Sequence, residues 1–216
     1  EITTRLVGSE MCIRDSRNRD FYATCSPSMD ILISSNLERL LYMLTDQNDA
    51  QIREWFGSLA ETGKYEVNDE VKKVLKEEFF GGYCDDDQTK ATISEIYKKY
   101  SYTCDTHTAV AVKVYEDYKK ATGDETKTLI ASTASPYKFS ASVLEAIEGK
   151  KSDLDEYDMV ARLAELSDIP VPSALADLKN KERRFTGSIE KSDMNSYVMK
   201  DFGCLLYTSD AADDLI

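Results

Sequence analysis

The densest run of chemistry-bearing side chains in this 216-residue sequence is Ser132-Thr133-Ala134-Ser135-Pro136, at the end of an apolar, β-branched stretch. A buried strand that delivers Thr133 into a tight turn, with helix N–H groups exposed after Ser135, makes a site for a polar or anionic ligand group. In open α/β sheets ligands lie outside the carboxyl ends of strands, where Thr133 would stand. An ordinary capped connection uses the same residues, so spacing alone leaves both readings open. A second group is Asp105-Thr106-His107-Thr108, which sets the sole histidine in the first turn of a helix. There the helix dipole disfavours the imidazolium, and a neutral ring can donate or accept one hydrogen bond. Cys104 stands beside it, but a Cys/His pair without a third, orienting group is an incomplete nucleophile. A capping cluster with a satisfied histidine accounts for the same residues. The third group, Ser26-Pro27-Ser28-Met29-Asp30, is a hydroxyl-rich loop suited to anion or substrate contacts, although helix capping also explains it. Gly81-Gly82-Tyr83 reads as a turn, because neither GxGxxG nor GxxxxGK[ST] surrounds it. With one histidine and no CxxC pair, no metal site is expected.

The elements that would position these groups are mostly helical. Ser35 with Glu38 forms a capping box, and Leu37, Leu40, Leu41 and Leu44 follow at helical spacing. A second helix is expected from about 49 to 59, with Ile52, Trp55, Phe56 and Leu59 inward and Gly63 as its end. Asn68 or Asp69 caps a third, carrying Val71, Val74, Leu75 and Phe79 and stopped by Gly81-Gly82. Asp85-Asp86-Asp87 opens a fourth, favoured by the dipole, with Ile93, Ile96, Tyr97 and Tyr100 on its apolar positions. Asp105 or Thr106 caps a fifth, which carries Ala109, Val110, Val114, Tyr115 and Tyr118 and ends near Gly123. Residues 126–133 (TKTLIAST) then read as a buried strand. Ser135-Pro136 opens a helix with Phe139, Val143, Leu144 and Ile147, and another runs from about 155 to 166. Residues 185–190 read as a strand and 192–202 as a last short helix. One strand cannot make a sheet, so Leu129 and Ile130 are expected to pair with strands outside this stretch.

The two ends read differently from the middle. Residues 11–16 (MCIRDS) can be coded by atgtgtataagagacag, and the reverse complement of that DNA reads CLLYT, the residues at 204–208. Ends coded by opposite strands of one short DNA element resemble translated library adapters, so 1–16 and 204–216 are expected to be non-native. Six of the 40 acidic and two of the 27 basic side chains lie in those ends. The net charge therefore moves from -13 to -9 for residues 17–203, and three of the five cysteines remain. An acidic chain repels a polyanion, which argues against nucleic acid as a partner. No apolar run approaches the roughly 20 residues that span a bilayer, which argues against a membrane. Scattered, odd-numbered cysteines fit a reducing, cytoplasmic compartment better than a disulfide framework.

Three blocks carry a resemblance: SPSMDILISSNLERLLY (26–42), DTHTAV (105–110) and STASPYKF (132–139). Together, in this order and at these separations, they resemble the C-terminal part of threonine synthase, in the long form of bacteria and fungi. The likeness covers essentially all of residues 17–203. It implies an α/β fold, that of the fold-type II pyridoxal-phosphate enzymes related to the tryptophan synthase β subunit. Residues 17–203 would be its mostly helical C-terminal portion, with few strands. It implies a lyase of threonine biosynthesis that converts the small molecule O-phosphohomoserine and water to L-threonine and phosphate, with pyridoxal 5'-phosphate as cofactor. Thr133 matches the family hydroxyl that hydrogen-bonds the cofactor's pyridine nitrogen; Ser132, His107 and Asp30 would line or support the active site, with Lys138 nearby. The family's Schiff-base lysine and its GNFGN-like phosphate loop belong to an N-terminal domain and are expected before residue 17. On this reading the stretch holds no catalytic residue and is inactive alone. A non-catalytic helical interaction module, or a fold-type II lyase for another amino acid, are the competing readings.

Overall fold

The structure is a computed structural model that describes residues 14–16, 20–167, 169–183 and 186–206. Most of these residues lie in helices, and among them the only ladder joins two three-residue strands. β1 (Arg14–Ser16) and β2 (Lys64–Glu66) pair antiparallel, with Asp15 opposite Tyr65.

Local chemistry explains most helix boundaries. α2 (Asp49–Thr62) starts where Asn48 accepts from the Gln51 N–H. It ends at Gly63, which takes the left-handed φ of 79° that a residue without Cβ adopts freely. α3 (Asp69–Glu78) is capped by Asn68. α4 (Asp86–Tyr100) opens on a full capping box between Asp85 and Gln88. α5 (Thr106–Thr122) is capped by Asp105, and α7 (Glu156–Leu166) by Asp155.

Several expectations change, among them the opening at Ser135-Pro136, which is a 3-10 turn over Pro136–Phe139 without a Ser135 side-chain cap, the α-helix starting only at Ser140. α1 (Ser35–Leu44) takes Ser34 as its cap, without a side-chain capping bond. Ser35 is then already helical and Glu38 falls one position late, so the expected Ser35/Glu38 box does not form. α3 stops at Glu78, before the glycines, because Phe79 turns extended and packs against the neighbouring core. Tyr100 points outward, 65% exposed, at the frayed last position of α4. Residues 126–133 run without regular structure instead of forming a buried strand, and Leu129 is 100% exposed. A β-branched run becomes a strand only when a neighbour satisfies its N–H and C=O groups, and none of the described residues does so here.

Two apolar clusters hold the first unit, which ends at Pro172. Leu37, Leu41, Ile52, Trp55, Leu59, Tyr65, Val67, Val71 and Leu75 bring α1, α2, β2 and α3 together. Trp55 stacks on Tyr65 with ring centroids 6.5 Å apart. The second cluster lies where α4 packs on α5 and α6 (Ser140–Glu148), and α6 on α7. It buries Ile93, Ala109, Val110, Val114, Val143, Leu144 and Leu163. Fully buried leucines such as Leu144 and Leu163 contribute about 2 kcal/mol each. Tyr97 and Tyr137 lock the following loop by donating to the carbonyls of Leu166 and Ile169.

The second unit, from Ser173, holds α8 (Ser173–Ala176), a 3-10 turn at Leu178–Asn180, another at Lys191–Asp193, and α9 (Met194–Leu206). The last helix thus starts later and runs further than residues 192–202. Residues 186–190 are exposed and form no strand, while Phe185 lies outside the described residues. No helix among the described residues is long and apolar enough to cross a membrane.

Candidate functional site

The N-terminus of α5 is buried, which is unusual for a helix end and requires its free N–H groups to find partners. Asp105, 0% exposed, supplies them. Its Oδ1 accepts from the N–H of His107 at 2.8 Å and of Thr108 at 3.3 Å. Its Oδ2 accepts from the Thr108 hydroxyl. A buried carboxylate is tolerable when its lone pairs are filled in this way.

His107 is held from three sides. Its Nε2 accepts from the backbone N–H of Ser28 at 3.0 Å, so that nitrogen carries the lone pair. The ring proton therefore sits on Nδ1, which lies 3.2 Å from Asp105 Oδ1 and donates to it. Phe139, in the 3-10 turn Pro136–Phe139, packs on the ring at 4.7 Å between centroids. The ring thus accepts at Nε2 and faces Asp105 at Nδ1, with the Thr106 hydroxyl 3.4 Å from Nδ1 as well.

The loop that reaches His107 is itself closed by Asp30. Its Oδ2 accepts from the Thr24 N–H at 2.7 Å and its Oδ1 from the Thr24 hydroxyl at 2.8 Å. The Cys25 N–H donates to Asp86 at 2.8 Å, pinning the loop to the start of α4. Asp30 is thus engaged within its own loop, and Ser28, which meets His107, does so through its backbone.

On the other side, Thr108 reaches the segment that carries Thr133. The hydroxyls of Thr108 and Ser132 lie 2.9 Å apart. Thr108 has one proton, and the Asp105 carboxylate, an acceptor only, is its stronger destination. Ser132 then completes the chain with its own proton. Thr133, next in sequence, is exposed. The structure gathers Asp105, His107, Thr108 and Ser132 into one hydrogen-bonded chain; Thr133 is joined to it only as the residue after Ser132, and Asp30 only through the loop that bears Ser28. The hub, Asp105 with Thr108, was visible in the sequence only as an Asp cap with a threonine three residues on.

The cysteines take no part. Burial, then the Asp105 charge, pushes the Cys104 thiol up to about 12. Both His107 nitrogens are engaged by Ser28 and Asp105, so no imidazole is left to deprotonate Cys104. Cys25 and Cys84 are pushed up to about 11, chiefly by burial. Lys138 places its Nζ 5.6 Å from the Phe139 ring. Among the described residues no group of three or more His, Cys, Asp or Glu side chains could hold a metal ion.

Residues 108–196 match the family model described as "Threonine synthase, C-terminal". The chain is 32% identical over 165 residues to threonine synthase of Pseudomonas aeruginosa, covering 76% of this chain and 31% of that protein. It is 28% identical over 182 residues to human "Threonine synthase-like 1", covering 84% of this chain and 24% of that protein. Among solved structures it superposes on yeast threonine synthase with a TM-score of 0.61 at 28% identity, over 79% of this chain and 34% of that one. Against the PLP-bound threonine synthase of Brucella melitensis the TM-score is 0.59 at 29% identity, over 81% of this chain and 33% of that one. The chain spans about a quarter to a third of the length of these relatives. Matches by sequence and by fold point to one family, and residues 108–196 carry its C-terminal pattern.

Proposed function

We propose that this chain is the C-terminal part of a threonine synthase, and that the complete enzyme converts O-phosphohomoserine and water to L-threonine and phosphate with pyridoxal 5'-phosphate. The observation that carries the reading is the match of residues 108–196 to the threonine synthase C-terminal family, within which the bonded chain from Asp105 through Thr108 reaches Ser132, the residue before the exposed Thr133.

The residues present suit such a cofactor. A pyridine nitrogen needs one donor in its ring plane, and Thr133 offers a hydroxyl beside a neighbour fixed by Thr108. The cofactor, when bound, supplies the electron sink that makes loss of the substrate's carbon-bound protons and of its phosphate feasible. Thr133 would be the residue to meet that nitrogen: a hydroxyl would donate to it without protonating it, whereas a carboxylate would hold it protonated. His107 ties the loop at Ser28 to α5, and Asp30 closes that loop on itself through Thr24.

The lysine that anchors the cofactor and the loop that binds its phosphate are assigned to sequence before residue 17. The polypeptide as given is accordingly inactive, and residues 1–16 and 204–216 are non-native. The site it shapes takes a small phosphorylated amino acid rather than nucleic acid or membrane, and the free thiols Cys25, Cys84 and Cys104 fit the cytoplasm. The test compares this chain with the complete protein. The complete protein releases phosphate from O-phosphohomoserine and shows the visible absorbance of bound cofactor; this chain does neither. Turnover by this chain alone would overturn the incompleteness.

One second reading is a related fold-type II lyase acting on another amino acid. Assaying the complete protein with O-phosphohomoserine, homoserine and serine separates the two.

A further inference from the structure

We infer that residues 33–79 form a flap that swings as one body on α5, hinged at two feet, one of which is set by His107. This holds whatever reaction the complete protein performs.

Within the first unit, two sets of elements close separately. α1, α2, β2 and α3 pack together, as do α4, α5, α6 and α7, and among the described residues no element of one set shares an extended face with the other. The apolar cluster from Leu37 to Leu75 takes in Ile33 and Phe79 at its edges and no described residue from Phe80 onward. Ion pairs of the flap close within it as well, Lys72 with Glu66 and Asp69, and Arg53 with Asp49. Two cores without a shared face shift against each other at a cost set by what crosses the boundary between them.

Two stretches of chain leave the flap core, and each is pinned to the α4–α7 side right up to the crossing. On the first, the Cys25 N–H donates to Asp86 at 2.8 Å, the Ser28 N–H to His107 Nε2 at 3.0 Å, and Asp30 holds Thr24. The chain then passes Ile31 and Leu32 and joins the flap core at Ile33. On the second, Phe79 packs in the flap core while Phe80, the next residue, sets its ring 5.3 Å from that of Tyr118. Gly82 lies against Val114 and Cys84 approaches the Val110 carbonyl, so this stretch runs along α5. A third link, from β1 on β2 to Thr24, is exposed over residues 20–23 and sets no further pivot. The hinges are thus residues 31–32 and the 79–80 peptide, each a short stretch between packed bodies. Their feet, at His107 and Tyr118, stand about 16 Å apart along α5. A body hung from two points keeps one easy rotation, about the line joining them, and that line follows α5. Loss of the Ser28–His107 bond moves the first pivot back toward Cys25 and widens the swing. His107 also bonds Asp105, so the candidate site and the flap share one residue.

The test uses this chain, labelled with ¹⁵N, and the residual dipolar couplings of its helix amides in weak alignment. Couplings from α2 and α3 should fit one alignment tensor and those from α4, α5 and α6 another of larger magnitude, because the swing averages the first. His107→Ala frees Ser28 and should lower the flap's magnitude further while leaving that of α4–α6 unchanged. Phe80→Ala should do the same from the other foot. Should His107→Ala fail to fold, Asp86→Ala releases the same loop at Cys25 and keeps the Asp85/Gln88 capping box of α4. A single tensor that fits both sets in the wild-type chain would overturn the flap. Two tensors with a flap magnitude that neither His107→Ala nor Asp86→Ala alters would overturn the foot at His107, and no response to Phe80→Ala would overturn the other.

Discussion

Ser28 and His107, 79 residues apart, are joined by one hydrogen bond: the Ser28 N–H donates to Nε2 at 3.0 Å. A backbone N–H has no alternative role, so this contact fixes the histidine tautomer and, through Nδ1, its bond to Asp105. Because the chain contains a single histidine, the arrangement is open to direct observation. With ¹⁵N-labelled histidine at neutral pH, Nε2 should resonate as an unprotonated ring nitrogen and Nδ1 as a protonated one. The opposite tautomer would break the link between the loop and α5.

The same bond can be removed by mutation. Hydrogen exchange at Ser28 should accelerate in His107→Ala, ahead of global unfolding. Removal of the ring by His107→Ala loses this bond and the Phe139 packing, and should cost about 2 kcal/mol in a denaturant titration.

Asp105→Ala removes a helix cap and leaves several buried donors without an acceptor. The expected loss is about 3 kcal/mol, more than an exposed cap replacement gives. Asp155, whose side chain caps α7 at the surface, is the internal comparison: Asp155→Ala should cost about 1 kcal/mol. Equal melting shifts for the two variants would contradict the central place given to Asp105.

These two aspartates mark what was readable in the sequence. Caps at Asn68, Asp85, Asp105 and Asp155 follow from residues within one turn, so the sequence discloses them. Nothing local separates the buried Asp105 from the exposed Asp155; the segments that meet the first turn of α5, at Ser28 and Ser132, lie far away in the chain. Local pattern also misled where the tertiary partner decides. Ser35 lost its capping box because the chain turned helical one residue earlier than its side chain suggested. Residues 126–133 have the composition of a strand but no neighbour among the described residues to complete one.

Gly82 is where the loop after α3 crosses α5. A Cβ there would stand 2.9 and 3.0 Å from the two methyls of Val114, a buried and β-branched side chain that cannot swing aside. Gly82→Ala should destabilise by about 2 kcal/mol. Combining it with Val114→Ala should recover part of that loss, so the double-mutant cycle yields a favourable coupling. Additive costs would place the two residues out of contact.

The buried thiols predict a pH dependence at the alkaline end. Cys25 and Cys84 rise from the ordinary 9.0 to about 11 and Cys104 to about 12, so the folded state holds protons that the unfolded state releases. Their contribution to stability is intact below pH 9 and is lost as the pH climbs toward 11 and 12. Labelling with a thiol reagent, in a background with Cys12 and Cys204 replaced by serine, should be slow at neutral pH. Cys104 should react last. Rapid modification of Cys104 in the folded chain would reverse the assignment of these residues as inert.

Leu129 gives the sharpest test of the proposal that this chain is one part of a longer protein. Here it is fully exposed on a segment without ladder bonds, so Leu129→Ala should change stability by less than about 0.5 kcal/mol. Amides across 126–133 should exchange at nearly the unprotected rate, apart from those that local turns restrain, such as the Thr126 N–H bonded to Asp124. In the complete enzyme the same β-branched run is expected to find strand neighbours. Its amides become protected, and Leu129→Ala then removes a buried side chain at about 2–5 kcal/mol. The pair of measurements tests whether strand neighbours outside this chain are the cause, since the sequence of the segment is identical in both. Strong protection in this chain alone would mean that residues 126–133 already pair within it, and fast exchange in the complete enzyme would remove the sheet neighbours from the account.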